Sequence, residues 1–357
     1  MRVRAVAALS DIAGSVAPMG FRMRKSIRIA PGIRLNVSAK SLGISAGVRG
    51  AHVSMNSRTG VRTTVGLPGT GMSYTRTQSP HSSPHTAPTR SRTHQVTPPE
   101  SPPRPQVKRP GLFAPHWHKE LFAALEQGHT TGLEQIAVKH PESRNTCMLL
   151  EALTHSTGPG SDQRAEQMLG ELWGNGYDPA ADEFLHTYAP ESSTEIRLTP
   201  VLTAHLPLSR DTIGLALGEL LQDIGNLAGA VEVVEGVTPS TVAAVSLAEL
   251  YAQAARWNDI VQLTDGIAND DDFSTYLLIQ RGVAFRQLGF HDASRESLRA
   301  ALAPRSRTPA LRHLALSERA LTYRAEGKLS MARRDLERIL ADDSDYPGVR
   351  EMIAELG

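Results

Sequence analysis

The stretch GLPGTGMS at residues 66–73 carries the spacing of a phosphate-binding loop. Such a loop needs Gly, four residues, Gly, Lys, then Ser or Thr, so that backbone amides and an ammonium surround the phosphates. Gly66, Gly71 and Ser73 fit, but Met72 holds the lysine position and Pro68 removes an amide donor. The loop must also open a helix, and YTRTQSPHSSPH after Ser73 has no helical pattern. A glycine-rich turn ending a sheet is therefore expected here rather than a nucleotide site.

Other reactive residue types are equally isolated. HWH at 116–118 puts two histidines at i and i+2, on different sides of a helix, with no third ligand at a recognisable spacing. Trp117 and Phe122 are expected to cap the first helix of a helical stack. The single cysteine, Cys147, sits in the apolar run NTCMLLEAL and reads as core rather than nucleophile. DDD at 270–272 lacks the hydroxyl and glycine spacing of a calcium loop and reads as a connection between helices. No nucleophile, base and orienting group assemble, so no enzyme, cofactor or metal is expected.

The elements that would position these residues fall into blocks. The 357 residues carry a formal charge of +1, yet residues 1–110 hold 17 basic side chains against two acidic ones, and the remainder is correspondingly acidic. Such opposition suggests an anionic partner for the basic part or docking of the two parts. One cysteine excludes an internal disulfide, and no apolar run reaches the roughly 18 residues a membrane span needs. Asp11 interrupts the opening residues, so a secretory signal is not expected and the protein reads as cytoplasmic. Residues 1–18 read as a disordered leader.

From residue 27 to 75 the apolar period is two. IRLNVS (33–38) alternates Ile33, Leu35 and Val37 with Arg34, Asn36 and Ser38, and HVSMN (52–56) repeats the pattern. LGIS and VRTTV are compatible, with turn signals at 31–32, 49–50, 57–60 and 67–71. A meander of four or five short antiparallel strands over residues 19–76 is expected. MGFRMRKSIRIAPGIRLNVS (19–38) with TTVGLPGTGMSY (63–74) resembles a bacterial family known as the domain of unknown function number 4236. Phe21, Arg22, Arg24, Lys25, Pro31, Gly32, Arg34, Leu35, Asn36 and Gly69 to Tyr74 carry the resemblance. It implies a domain start at Met19 and no assigned chemistry.

No acidic residue occurs between residues 12 and 99, where Arg22, Arg24, Lys25, Arg28 and Arg34 lie. They form a candidate surface for nucleic acid, anionic lipid or a protein, or a solvated face that docks on the acidic half of the chain. With only Phe21 and Tyr74 available for base stacking, a protein contact is the favoured reading over DNA or RNA. Residues 77–111, with nine prolines among Ser, Thr, His and Arg, read as a disordered linker, and His81, His85 and His94 within it as compositional.

Beyond residue 112 the period becomes 3.6. Residues 112–209 read as helical and include diverged repeats, RAEQMLGELWGNGYDP (164–179) being a candidate second helix of one unit. Four segments then align at 217–237, 247–267, 281–301 and 319–339. A small residue (Gly218, Ala248, Gly282, Ala320) is followed three later by a large one (Leu221, Tyr251, Phe285, Tyr323) and then by a turn (Gly225, Ala255, Gly289, Gly327). Ala230, Ile260, Ser294 and Ala332, and four later Val234, Thr264, Leu298 and Leu336, come next in register. Over residues 210–350 this resembles tetratricopeptide repeats, with spacings of 30, 34 and 38 residues, the last lengthened by PRSRTP after Ala303.

The resemblance implies a superhelix whose first helices line a groove. In register, the groove candidates are Glu219, Gln222, Asp223, Glu249, Gln253, Arg286, Gln287 and Arg324. No Lys–Asn pair for clamping a terminal carboxylate appears, so an internal, basic peptide segment near the first two repeats is the expected ligand. The whole is a multidomain chain: a small antiparallel β module, a disordered Pro-rich linker and an all-α helical-repeat solenoid. A non-enzymatic interaction scaffold is the function expected, with nucleic-acid association as the rival.

Overall fold

In the computed structural model the described residues are 109–127, 132–154 and 161–356, together with the backbone of six strands within residues 25–78. The leader at 1–18, Met19 and residues 79–108 of the proposed linker lie outside them. The chain divides into two compact units, one comprising Arg22–Glu195 and His205–Ile213, the other including Ile196–Ala204 and Gly214–Gly357. Among the described residues no helix is long and apolar enough to cross a membrane.

In the first unit, β1 (Lys25–Ala30), β2 (Ile33–Ser38), β3 (Ser41–Val48), β4 (Ala51–Asn56), β5 (Gly60–Gly66) and β6 (Ser73–Gln78) form an antiparallel meander. Each turn signal falls between paired strand ends, as with Ala30 opposite Ile33 and Val48 opposite Ala51. Ser38 pairs with Ser41, and the sequence between them has no Gly, Pro or Asn to announce a reversal. GLPGTGMS does not end the sheet: Gly66 pairs with Ser73, and β6 comes after it, running two residues into the segment read as linker. SYTRTQ escaped the periodicity because it has no apolar alternation, although Tyr74, Thr75 and Thr77 favour extended backbone. Ser73 opens a strand, not the helix that a phosphate loop requires.

Five helices come next in this unit: α1 (His116–Glu126), α2 (Leu133–Lys139), α3 (Arg144–Thr154), α4 (Ser161–Gly174) and α5 (Glu183–Tyr188). Trp117 is buried against Phe184 with ring centroids 5.7 Å apart, and Phe122 meets Tyr188 at 6.0 Å. The reading of 112–209 as wholly helical is corrected at its end. β7 (Ser193–Arg197) and β8 (Thr203–Pro207) form strands, and β7 pairs with β1 through Arg28 opposite Ser193. Thr194, Ile196 and Leu198 are buried while Arg197 is exposed, which is a period of two. Thr199 closes the turn by accepting from Val201 and Leu202 N–H groups.

The repeat region begins with α6 (Arg210–Asp223) and α7 (Leu227–Glu235), then α8 (Thr241–Gln253) and α9 (Trp257–Leu263). Next come α10 (Asp272–Gln287) and α11 (His291–Ala301), α12 (Pro309–Ala325) and α13 (Leu329–Asp342), and a short α14 (Val349–Ala354). Each first helix of a pair ends at a residue with positive φ: Gly225 at 82°, Ala255 at 54°, Gly289 at 84° and Gly327 at 73°. The next residue's N–H then donates back to Leu221, Tyr251, Phe285 or Tyr323, each at 2.8 Å. This is the Schellman closure, which satisfies a carbonyl the helix end leaves open. α4 ends the same way, with Gly176 at 75° and Tyr177 N–H on Leu172 at 3.1 Å.

The small residues set how closely paired helices approach. A Cβ on Gly218 would lie 2.4 Å from Val234 Cγ2, and one on Gly282 would lie 2.6 Å from Leu298 Cγ. Facing them, Ala230, Ile260, Ser294, Ala332, Val234, Thr264, Leu298 and Leu336 are fully buried. The polar departures are satisfied locally. Thr264 Oγ1 donates to Ile260 O at 2.7 Å, and Ser294 Oγ lies 2.9 Å from Thr322 Oγ1. The longer third interval is held by Arg307, which reaches Thr275 Oγ1 and Asn269 O, each at 2.8 Å. At the end of the stack, Val349 and Leu356 cover Leu336 and Ile339.

Ala255 is the one non-glycine with positive φ among the described residues. The left-handed conformation costs an L-residue about 1–2 kcal/mol, against about 0.5–1 kcal/mol for glycine's extra chain entropy. Ala255→Gly is therefore expected to stabilise the repeats by about 0.5–1 kcal/mol, while Gly289→Ala destabilises them. Denaturant unfolding of the two variants beside the native chain checks the opposed signs.

Candidate functional site

The face built by α6, α8, α10 and α12 is described most simply relative to the small residue of each helix. Residues one or four places after it reach the next element, in three of four cases at the place two before the next helix's small residue. Glu219, after Gly218, hydrogen-bonds the Ser246 side chain, two before Ala248. Glu249, after Ala248, accepts from Gln280 Nε2 at 2.7 Å and from the Tyr276 hydroxyl, while Gln280 Nε2 also meets Tyr276 Oη at 2.7 Å. Arg286 makes the third rung, with Nη2 2.7 Å from Glu318 Oε2 and Nη1 2.9 Å from Glu318 O. Arg324 Nη1 reaches Glu355 Oε2 at 3.0 Å beyond α14.

Four of the eight groove residues thus tie one first helix to the next element. Gln222 is half-buried, and Asp223, Gln253 and Gln287 are exposed. Sequence register overlooked their partners Ser246, Tyr276, Gln280 and Glu318. For Ser246, Gln280 and Glu318 the signal was present as a column two places before the small residue, but these residues share no chemical type, and Tyr276 lies one turn further back.

The first two rungs differ from the last two in charge. Among the described residues no Lys or Arg pairs with Glu219 or Glu249; their partners are neutral hydroxyl and amide groups. Burial, then the negative charges of Asp223 and Glu249, push the Glu219 carboxyl up to about 8. Burial also raises Glu249, against the opposing hydrogen bonds from Tyr276 and Gln280. The two carboxyls form a partly buried acidic step that lacks a cation among the described residues.

Elsewhere the isolated reactive types are accounted for. Cys147 is buried, its thiol pushed up to about 11 chiefly by desolvation, with Sγ 3.6 Å from Ser143 Oγ. Asp271 caps α10, accepting from Ser274 N–H at 2.7 Å while Ser274 Oγ accepts from Asp271 N–H at 2.9 Å. His118 is buried with Nδ1 3.3 Å from Tyr188 Oη, and burial lowers its pKa. His116 points elsewhere and lies beside Glu120 and His140. In the basic module, Lys25 and Arg28 lie on β1 and Arg34 on β2, with Arg28 opposite Arg34 in backbone register. Arg22 and Arg24 lie outside the described residues.

Paired antiparallel helices with a small-residue approach, a Schellman turn and a 30- to 38-residue register define a tetratricopeptide-like helical-repeat protein. Residues 21–75 match the family described as "Protein of unknown function (DUF4236)". Residues 197–354 match the N-terminal domain of the type VII (ESX-1) secretion system protein EccA1. Among solved structures, the N-terminal domain of the EccA1 ATPase from Mycobacterium tuberculosis is similar at 19% identity and a TM-score of 0.47, covering 68% of this chain and 88% of that one. A thermophilic tetratricopeptide protein of Thermus thermophilus is similar at 18% identity and a TM-score of 0.36, covering 61% and 97%. A tetratricopeptide protein of Parabacteroides merdae is similar at 11% identity and a TM-score of 0.40, covering 68% and 99%. No curated protein matches the chain.

A carboxyl that binds its proton more tightly when folded makes stability fall as pH rises. For Glu219 that window runs from about 4.5, its ordinary value, to about 8. Glu219→Gln should remove this slope and stabilise the chain at pH 8 by on the order of 1–3 kcal/mol, with little effect at pH 4.5. Thermal melts of both proteins across that range measure it.

Proposed function

We propose that the protein is a non-enzymatic interaction scaffold whose first-helix face receives an internal, basic segment of a protein partner. The observation that carries this reading is the acidic step of Glu219 and Glu249, which meets only neutral donors among the described residues. An arginine or lysine from a partner would supply the missing cation and favour the ionised form of both carboxyls. Asp223 and the exposed amides of Gln253 and Gln287 extend the same surface. Helical-repeat folds of this kind serve protein recognition across an extended face. The β module is the second, tethered contact, and linkage raises its effective concentration. We place the protein in the cytoplasm, in keeping with its single cysteine.

Nucleotide chemistry is not carried over from the EccA1 ATPase. The one segment resembling a phosphate loop has Met72 in the lysine position and joins two strands.

Fluorescence anisotropy of the full chain with labelled Arg/Lys-rich, neutral and acidic peptides of equal length tests the groove. Preferential binding of basic peptides, weakened about tenfold or more in Glu219→Gln/Glu249→Gln, is the expected result, since hydrogen bonds to a charged group contribute about 1.5–3 kcal/mol. Equal binding of all three classes, or no change in the double variant, would remove the groove from the account. The absence of acidic residues between 12 and 99 favours nucleic acid as a second reading. Orders-of-magnitude loss of DNA or RNA affinity between about 50 and 200 mM salt is its signature.

A further inference from the structure

His116 and Glu120 stand at i and i+4 on one face of α1, so helical spacing alone brings them together. The third group comes from a different element. Pro141 disfavours helical backbone at the residue before it, and His140, immediately after α2, has φ −130° and ψ 83°. Its backbone is held at both ends: its N–H donates to Ile136 O at 2.8 Å, and its carbonyl accepts from Ser143 N–H at 2.9 Å and Ser143 Oγ at 2.7 Å. The imidazole is thereby presented from a fixed turn.

The resulting geometry is compact. His116 Nδ1 lies 3.1 Å from Glu120 Oε1, and His140 Nε2 lies 3.3 Å from Glu120 Oε2. One ligand atom from each of the three residues lies within 4.8 Å of the other two. Ligands about 2.0–2.1 Å from a tetrahedral ion sit about 3.3 Å from one another, so little movement closes the set. His140 Nε2 is buried and makes no hydrogen bond, despite its nearness to the carboxylate. A buried nitrogen left without a hydrogen bond calls for a partner, a role that an ion shared with Glu120 fills. On its other side, the Glu142 carboxylate lies 3.7 Å from His140 Nδ1, beyond hydrogen-bond distance but near enough to close onto it when the imidazole ligates.

We propose that His116, Glu120 and His140 bind a divalent transition-metal ion of the zinc class. Two imidazoles and a carboxylate suit such an ion, and the exposure of His116 leaves the fourth position to water. Lys139 ion-pairs with Glu120 and neutralises it in the metal-free chain; its side chain is 58% exposed and turns to solvent when the ion takes its place. The ion would clip α1 to the turn that ends α2, where few large side chains are buried on α2 itself. This site lies in the first compact unit and is independent of the groove on the repeats.

The test is titration of the full chain with Zn2+ against a chromophoric chelator, and with Co2+ followed by its visible d–d absorption. The chain has 13 histidines, so the variants decide the assignment. One tight site per chain is expected, weakened at least about tenfold in both His116→Ala and Glu120→Gln, since losing even an outer-shell partner costs about 10–100-fold. His205→Ala, on an exposed histidine paired with Glu195, serves as the control and retains the affinity. Neither His116 nor Glu120 is buried, so both variants should fold. Failure of the native chain to take up either ion, or a loss below about tenfold in either variant, overturns the proposal.

Discussion

One backbone hydrogen bond recurs at every first helix of the repeat region and governs the packing of the helix after it. The N–H just past a left-handed residue returns to a carbonyl five positions earlier, and the chain reverses within three residues. That reversal lays the second helix across Gly218, Ala248, Gly282 and Ala320, so the small residues meet the side chains that need the space. Were the turn longer, the same small residues would face nothing and cavities would result. The turn and the close approach are therefore one constraint seen at two places.

The polar ladder depends on that packing. With second helices held close on one side, successive first helices are neighbours on the other, and residues of one reach the column of the next. Glu249 with Tyr276 and Gln280, and Arg286 with Glu318, are the well-defined instances. The acidic step exists because the ladder changes character at α10: carboxyls are matched by neutral donors before that helix and by arginines after it.

The helix pairs were legible in the sequence because they rest on residues with sharp steric requirements. Glycine or alanine at Gly218, Ala248, Gly282 and Ala320, and Gly225, Gly289 and Gly327 at the turns, announce themselves individually. Even Ala255, with the wrong side chain for its φ, was placed by register with its three glycine counterparts. The strands β2 and β4 were visible through alternation and β3 and β5 were compatible with it, whereas β6 and the β7–β8 pair were not. SYTRTQ is polar throughout, and five-residue strands such as STEIR are too short for a period to stand out from a helical neighbourhood. The groove candidates were found, but their partners were not, because Ser246, Gln280 and Glu318 share a position and no chemistry. His140 was unreadable for a different reason. It joins His116 through the tertiary fold, 24 residues away, and no local spacing encodes that meeting.

The change of character along the ladder makes the repeat stack electrically uneven. Rungs between α6, α8 and α10 are hydrogen bonds to neutral groups, which dissolved ions hardly affect. The rungs beyond are ion pairs, and the last, Arg324 with Glu355, is open to solvent. Screening acts on exposed pairs first. Within this ladder, added electrolyte thus weakens the Arg324–Glu355 rung before the more buried Arg286–Glu318 pair. Along the ladder of first-helix rungs, sensitivity to dissolved ions is therefore graded, least at the neutral hydrogen bonds and greatest at its last ion pair.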